Sequence, residues 1–433
     1  MEDKNKISLF TAILISINIM VGIGIFIVPS LMTEQVGNLS FLGWPLVGLV
    51  FLPVVYSIAQ ITKLFPGQGS FYSYSEQQIN KTAGFISGWF YFLGFASVSA
   101  IQLLGLKEVL IDQFEIFALR NNVIVFNILF VSAFCLINML GLFYITKIQN
   151  TVTIFKLLPI IFGVFLLFFY WNPELQLSWG NLSSLKFTLP LTLFGFWGFE
   201  SSCNISHMIK GDKNTPSKAI LISFFGTVII YTLFHLGILH IMGAENLITY
   251  KVPGFINFLN IKNPFFLNLS SSFMSATILI AFISSIFGGI LSNSSNLHSM
   301  AINNLFPKSD KLQKLNRFGR PKYAIWITGI TIFILMTLIN NKVILNSVCN
   351  FGLIVAFTLT LISLLLIQLK KNLKMQSLPT IIAFISCGII SYYSWILMGE
   401  STLQRITYAL PLIILGSIGI ILFKYNDKIK KGI

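Results

Sequence analysis

The sequence predicts an all-α polytopic membrane protein with about twelve transmembrane helices, on three observations. First, 55% of the 433 residues are hydrophobic and only 10% are charged, whereas about 25% of the residues in a soluble domain are charged. Second, apolar stretches recur that are long enough to cross a bilayer, which takes about 20 residues. Third, basic residues collect in every second loop between these stretches. Helices are expected because they satisfy their backbone hydrogen bonds inside lipid.

Twelve apolar stretches follow one another along the chain, and we number them spans 1 to 12. No cleavable signal peptide is expected, because the first stretch is longer than the apolar region of a signal peptide and no small-residue cleavage pattern follows it. The spans cover residues 8–32, 41–62, 84–106, 123–145, 151–171, 187–209, 218–242, 272–298, 322–340, 343–369, 377–398 and 404–424.

The distribution of charge predicts the orientation of the chain. If the loops alternate between two sides, the side of the N-terminus holds 22 of the 29 Lys and Arg residues. Basic loops stay in the cytoplasm, so we expect a multi-pass protein of the inner (plasma) membrane with both termini cytoplasmic. The net charge of +15 is assigned to this topology and to anionic lipid, and no nucleic-acid partner is expected.

Two spans carry glycines that weaken a helix near mid-depth. Span 1 contains Gly22 and Gly24, and span 6 contains Gly195 and Gly198 followed by Glu200, the one acidic residue within the twelve spans. Glycine lets a helix unwind at low cost, and irregular backbone at membrane depth is tolerated only in a cavity wall or inside protein. Paired interrupted helices point to the binding site of a transporter. Close helix packing is the alternative role for these glycines.

Spans 1 and 6 are five spans apart and therefore cross the membrane in opposite directions. This spacing predicts a single transporter domain over residues 1–433, built from two inverted repeats of five helices. The first repeat is expected at 8–171 and the second at 187–369, with two additional helices at 377–424.

Five stretches resemble the amino acid, polyamine and organocation (APC) superfamily of permeases. They occur in order along the chain and cover nearly all of it, and they imply a leucine-transporter-like fold with helices 1 and 6 broken. The end of the chain is also similar to the basic amino acid and polyamine antiporters. The stretches are VGIGIFIVPSLM (21–32), FPGQGSFYSYSEQQINKTAGFISGW (65–89), TVTIFKLLPI (151–160), FGFWGFESSCNISHMIKGDKNTPSKAI (194–220) and MAINNLFPKSDKLQKLNRFGRPKYAI (300–325).

The resemblance implies secondary active transport of an amino acid by alternating access, driven by protons or by exchange. A polyamine or basic amino acid exchanger, and a transporter-like nutrient sensor or channel, stay open as alternatives. An enzyme is not expected, because the spans show no obvious His or Asp partner for Glu200 that would form a polar catalytic cluster. The expected partners are a small-molecule substrate and the lipid bilayer. No cofactor is expected, and a homodimer is left open.

Unwinding of span 1 at Gly22 and Gly24 would leave backbone N–H groups at the start of the next half-helix. Such a helix N-terminus binds anions. The resemblance implies that the amides of Ile23, Gly24 and Ile25 hold the carboxylate of the substrate. Ile23 stands where many relatives have Ser or Ala, so this site relies on the backbone alone.

The second break is expected to supply the other half of the substrate site. Carbonyls freed around Phe194, Gly195, Phe196 and Gly198 suit a substrate ammonium. By the resemblance, Phe194 also closes over the substrate as a gate, and Asn350 and Phe351 in span 10 are expected at the outer gate. Packing is the alternative role for any one of the 42 phenylalanines.

Two ionisable residues inside spans are candidates for coupling. A carboxylate at mid-membrane is a functional candidate by default, so Glu200 is expected to carry a proton or to bind substrate, and a structural hydrogen bond is the alternative. The resemblance implies that Lys156 in span 5 takes the place of a sodium ion and bridges span 1 to Ser284 and Ser285 in span 8. Snorkelling of the ammonium to the interface is the alternative for Lys156.

Overall fold

A computed structural model describes residues 6–22, 24–65, 71–113, 123–166, 179–259 and 261–430. Within these ranges the chain consists of α-helices joined by turns and short 3₁₀ segments, with one π-helical segment at Leu335–Ile339 and a single β-bridge between Ile7 and Ile209. We number the α-helices in chain order. They are α1 (Leu9–Met20), α2 (Gly24–Val36), α3 (Gly43–Leu64), α4 (Phe71–Gln78), α5 (Lys81–Gln113), α6 (Val123–Asn138), α7 (Leu142–Leu166), α8 (Leu189–Phe194), α9 (Ser201–Asn204), α10 (Thr215–Tyr250), α11 (Pro264–Ile302), α12 (Ser309–Leu312), α13 (Lys322–Ile334), α14 (Lys342–Lys370), α15 (Lys374–Leu397) and α16 (Thr402–Lys430).

Long apolar helices stand where most spans were predicted. Within the described ranges, nine helical stretches are long and apolar enough to cross a membrane, and α1 and α6 are shorter apolar helices. If α1 with α2, and α8 with α9, are each taken as one broken crossing, the helices pair in order with the twelve predicted spans. The predicted all-α polytopic fold is confirmed.

The connection between the fourth and fifth crossings differs from the prediction. The sequence places a loop at 146–150, whereas α6 ends at Asn138 and α7 begins at Leu142. The turn consists of apolar residues, and the carbonyl of Gly141 accepts the first hydrogen bonds of α7. A hydropathy window detects polar interruptions and misses a turn of this kind. Lys147 therefore lies on α7, and the end of predicted span 5 lies outside the described residues.

Several helices extend beyond their predicted spans, among them α10 and α11. α10 continues to Tyr250 past a bend at Gly243, whose φ of +74° is not helical. α11 begins at Pro264, and the side chain of Asn263 caps it by accepting a hydrogen bond from the N–H of Phe265 over 2.9 Å. An Asn cap followed by proline is a common helix start.

α5 lies at the centre of the bundle. In its most apolar window 89% of the residues are buried, and it packs against α11 and α14. α16 is at the other extreme, with 22% of its window buried and with apolar side chains such as Ile413 and Ile421 exposed. An exposed apolar face suits contact with lipid, so α16 lies at the periphery and the broken helices lie inside.

Candidate functional site

The breaks in the first and sixth crossings lie against each other. α1 ends at Met20 and α2 begins at Gly24, while α8 ends at Phe194 and α9 begins at Ser201. A Cβ added to Gly24 would lie 3.2 Å from the Cα of Gly195. The two backbones are thus in direct contact, which only residues without side chains permit.

Gly198 determines the path of the chain through the second break. Its φ is +121°, a conformation that is open to glycine and costly for other residues. A Cβ at this position would also lie 2.5 Å from the Cγ2 of Ile19 and 3.2 Å from the backbone nitrogen of Met20. Both the conformation and the space therefore require glycine.

We expect the Gly198→Ala variant to be less stable than the wild type by about 2–4 kcal/mol, since backbone strain and overpacking each cost roughly 1–3 kcal/mol. Gly226→Ala on α10 is the matched control, because no atom lies within 4 Å of its added Cβ. The measurement is thermal unfolding of the purified protein in detergent. Equal stability of the two variants would contradict the role assigned to Gly198.

Three side chains from three helices satisfy the carbonyl end of α1. The carbonyls of residues 18–20 accept hydrogen bonds, in this order, from Lys156 on α7 (2.6 Å), Ser285 on α11 (2.8 Å) and Tyr231 on α10 (2.7 Å). The last carbonyls of a helix have no partner within the helix, and an unpaired backbone group is costly in lipid. The surrounding bundle therefore stabilises the break.

Lys156 is fully buried, so its ammonium does not snorkel to the interface. Besides the carbonyl of Asn18, the Nζ of Lys156 donates to the hydroxyl of Ser284 at 3.1 Å. The side chain of Asn18 donates to the carbonyl of Ser284 at 2.9 Å and also to the side chain of Gln149. Lys156 thus joins the end of α1 to α11.

Glu200 is buried at the second break and bonds to its own bend. Its carboxylate accepts hydrogen bonds from the N–H of Gly198 (3.0 Å) and from the hydroxyl of Tyr91 on α5 (3.1 Å). The side chain of Asn204 donates to the same Tyr91 oxygen (2.8 Å) and to the hydroxyl of Ser292 on α11 (3.0 Å). These hydrogen bonds are of the kind expected for a structural role, which the sequence leaves open as the alternative for Glu200.

A cavity of about 320 Å³ lies beside the two breaks, with Gly24 and Phe194 in its wall. Its lining comes from α2, α5, α8, α14 and α15 and the residues next to them. Most of these elements line the cavity with the end of their crossing that is farther from the start of α1. The cavity therefore lies on the side of the membrane opposite the termini. The lining residues are Gly24, Ile27, Val28, Leu31, Ile101, Pro190, Leu191, Phe194, Lys342, Val343, Asn346, Ser347, Asn350, Ser394, Leu397 and Met398.

Only part of the predicted substrate site lines this cavity. Gly24 and Phe194 do so, and the Cδ1 of Phe194 would lie 3.9 Å from a Cβ on Gly24. The remaining residues do not line the cavity or lie outside the described part of the chain. Those that do not line it are Gly22, Ile25, Gly195, Phe196, Gly198 and Glu200, and Ile23 lies outside the described residues.

Three carbonyls that the sequence predicts to be free have partners in the structure. The carbonyl of Gly198 accepts a hydrogen bond from the N–H of Ser201 at 3.0 Å. The carbonyl of Gly195 accepts a hydrogen bond from the hydroxyl of Tyr231 at 3.2 Å. The carbonyl of Phe196 accepts one from the N–H of Phe199 at 3.3 Å. The second break therefore satisfies part of its own backbone.

Phe351 does not line the cavity. It packs in a hydrophobic cluster with Trp89 and Phe90, whereas its neighbour Asn350 lines the cavity and accepts a hydrogen bond from the Nε1 of Trp197 at 3.1 Å. Consecutive residues on a helix point about 100° apart, which places the two side chains on different faces of α14.

On the side of the membrane opposite the cavity, α4 covers the end of the sixth crossing. The hydroxyl of Tyr74 on α4 lies 2.9 Å from the sulfur of Cys203 and shares a hydrogen bond with it. The hydroxyl of Thr62 donates to the same sulfur at 3.3 Å, and all three residues are buried. Packed side chains thus separate the breaks from this side.

Sequence reasoning missed Asn18, Gln149 and Tyr231, which hold the end of α1. Asn18 and Tyr231 are polar residues inside apolar spans, and that signal is available in the sequence. Gln149 falls in the loop predicted at 146–150, because hydropathy does not mark the turn at Gly141. None of the three residues lies in a sequence motif that by itself indicates a function.

The comparisons with known proteins agree with this arrangement. Residues 7–420 match the amino acid permease family. The serine/threonine exchanger SteT of Bacillus subtilis is 22% identical over 378 residues, which cover 85% of this chain and 84% of the relative. The arginine/ornithine antiporter of Latilactobacillus sakei is 26% identical over 386 residues (83% and 78%). The gamma-aminobutyric acid permease of Bacillus subtilis is 23% identical over 381 residues (83% and 79%).

The family match spans almost the whole chain, including both helix breaks. It confirms the APC resemblance carried by the five stretches. Together with the apolar helices it makes the chain a multi-pass membrane transporter and not an enzyme. The chain therefore belongs to the amino acid permease family of the APC superfamily.

Proposed function

We propose that this protein moves an amino acid across the cell membrane by alternating access, with the substrate held where the two helix breaks meet. The observation that carries the proposal is the contact of Gly24 with Gly195 beside a cavity on one side of the membrane. α4 covers the other side. Movement of α4 away from the breaks, together with closure of the cavity, would complete a transport cycle.

The start of α2 supports binding of the substrate carboxylate. α2 begins at Gly24, so its first N–H groups have no carbonyl partner within the helix and its positive end favours an anion. The carboxylate binds the amides of Gly24 and Ile25 and that of Ile23, which lies outside the described residues. The substrate ammonium faces the second break, where the hydroxyl of Tyr231 competes for the carbonyl of Gly195.

Phe194 is the proposed gate. Its side chain is half-buried and borders the cavity next to the break in span 1. A rotation of this ring over a bound substrate would separate the substrate from the cavity opening. Phe351 is not proposed as a gate, because it packs away from the cavity.

Coupling is proposed to act through Lys156 and Glu200. Lys156, with Ser284 and Ser285, holds the end of α1 to α11, so changes in these bonds are transmitted to the substrate site. Glu200 lies at the second break without an ionic partner within the described residues and carries the proton. Protons or exchange with a second amino acid supply the driving force.

The basic loops support a plasma-membrane location with both termini in the cytoplasm, since 22 of the 29 Lys and Arg residues fall on that side. The cavity then faces the outside of the cell. We further propose that residues 8–171 and 187–369 form the inverted repeats and that 377–424 lies outside them. We also propose a homodimer, with the exposed apolar face of α16 as its interface.

Counterflow into liposomes tests the proposed function. Purified protein in liposomes loaded with one unlabelled amino acid is expected to accumulate the same labelled amino acid, for at least one member of a panel that also includes polyamines. Gly24→Val is expected to abolish this uptake, because a Cβ there would lie 3.2 Å from the Cα of Gly195 and would separate the two breaks. Gly226→Val is the matched control, since its added Cβ meets open space.

Three results would contradict the proposal. Binding of an amino acid without flux would indicate a sensor, and large unitary currents would indicate a channel. Uptake that is equal for Gly24→Val and the wild type would show that the contact between the breaks is not part of the substrate path.

A further inference from the structure

The cavity carries a small polar patch in an otherwise largely apolar lining. Asn346 and Ser347 lie on α14, and Ser394 lies on α15. The Oδ1 of Asn346 and the hydroxyls of the two serines have no hydrogen-bond partner within the described part of the chain. Buried polar groups are nearly always paired. Three unpaired groups in the wall of one cavity are what a ligand with its own hydrogen-bonding group would satisfy.

The two serine hydroxyls can reach the cavity by local rotation. Ser347 and Ser394 are 4% and 6% exposed, so each hydroxyl is shielded from water in its present orientation. Serine side chains exchange between three staggered χ1 positions. One such rotation turns a hydroxyl from the wall toward a ligand without movement of α14 or α15.

The charged residues around the cavity do not favour a substrate with a cationic side chain. Lys342 is the one ionisable residue among those that line the cavity, and it forms an ion pair with Glu108 of α5. Glu200 does not line the cavity, because its carboxylate faces Gly198 and Tyr91. Within the described residues, a cationic substrate side chain would thus find no acidic partner in the cavity wall.

We propose that the cavity selects amino acids with a neutral side chain that forms hydrogen bonds, and that Asn346, Ser347 and Ser394 recognise this side chain. The inference rests on the proposed function and adds the substrate class. α15 lies outside the predicted repeats, so Ser394 contributes a specificity contact from a helix that the repeats do not include.

Uptake of matched amino acid pairs tests this inference. The pairs are threonine with valine, serine with alanine, and asparagine with leucine, each similar in size and different in hydrogen bonding. In counterflow with wild-type protein, the polar member of at least one pair is expected to be taken up faster by roughly 10-fold, the value of one net hydrogen bond. The combined Ser347→Ala and Ser394→Ala variant is expected to lower that ratio toward one, because only Asn346 then remains to bond the polar side chain.

Ser57→Ala on α3 is the matched control. The hydroxyl of Ser57 is also buried without a partner in the described chain, but Ser57 does not line the cavity, so the ratio should stay at the wild-type value. Preference of the wild type for apolar or cationic amino acids would overturn the inference, and this comparison needs no variant. An unchanged ratio in the folded double variant would overturn the assignment of the serines. Absence of flux for every amino acid would instead contradict the proposed function.

Discussion

Transport by the Lys156→Met variant is expected to fall at least about 100-fold below the wild type, equivalent to roughly 2.7 kcal/mol in the rate-limiting barrier. Methionine keeps an unbranched side chain, one atom shorter, and removes the ammonium that donates to the carbonyl of Asn18 and the hydroxyl of Ser284. Each group left unpaired costs about 1–3 kcal/mol, and the end of α1 loses its bond to α7. The measurement is the initial counterflow rate in liposomes.

The control for this experiment lies on the same helix. Lys147 is exposed on α7, so Lys147→Met makes the same chemical change without removing a buried contact and should leave the rate near that of the wild type. Lys156→Gln separates hydrogen bonding from charge, because glutamine donates hydrogen bonds without a cation. A Lys156→Met rate above a tenth of the wild type would contradict the role of the lysine at the break.

The Glu200→Gln variant is expected to fold and exchange substrate but to lose its response to a pH gradient. Glutamine keeps an oxygen that accepts from the N–H of Gly198 or the hydroxyl of Tyr91, but it cannot release a proton. A gradient of one pH unit is worth about 1.4 kcal/mol, or a factor of ten, for each proton carried. The wild type is therefore expected to accumulate substrate up to about ten-fold further with the gradient than without it, and the variant is not.

Two further variants distinguish the proton carrier from a structural carboxylate. Glu200→Leu leaves Gly198 and Tyr91 without an acceptor inside the membrane and is expected to fail to fold for either role. Glu34→Gln, at an exposed position on α2, should keep the response to pH. Retention of that response in Glu200→Gln would assign Glu200 a structural role, and a wild type that ignores the gradient would leave exchange as the driving force.

Much of the architecture could be predicted because the relevant signals are local in sequence. Hydropathy over about 20 residues located the crossings, since the length of a transmembrane helix follows from the thickness of the bilayer. The glycine pairs at 22–24 and 195–198 located the helix breaks, because glycine is where a helix is interrupted at least cost. The turn at Gly141 could not be located from such local signals, because it has no polar residue to mark it.

The sequence by itself determined the fold class, the positions of both breaks and the family of this protein. Composition, the spacing of glycines and the order of the family-like stretches can all be read from residues that are close together in the sequence. Only the tertiary structure decided which side chains meet at the breaks. Lys156 reaches a carbonyl 138 residues away in the sequence, and Asn350 rather than Phe351 lines the cavity. These contacts depend on the rotation of each helix about its axis and on its packing against several others, which no local pattern encodes.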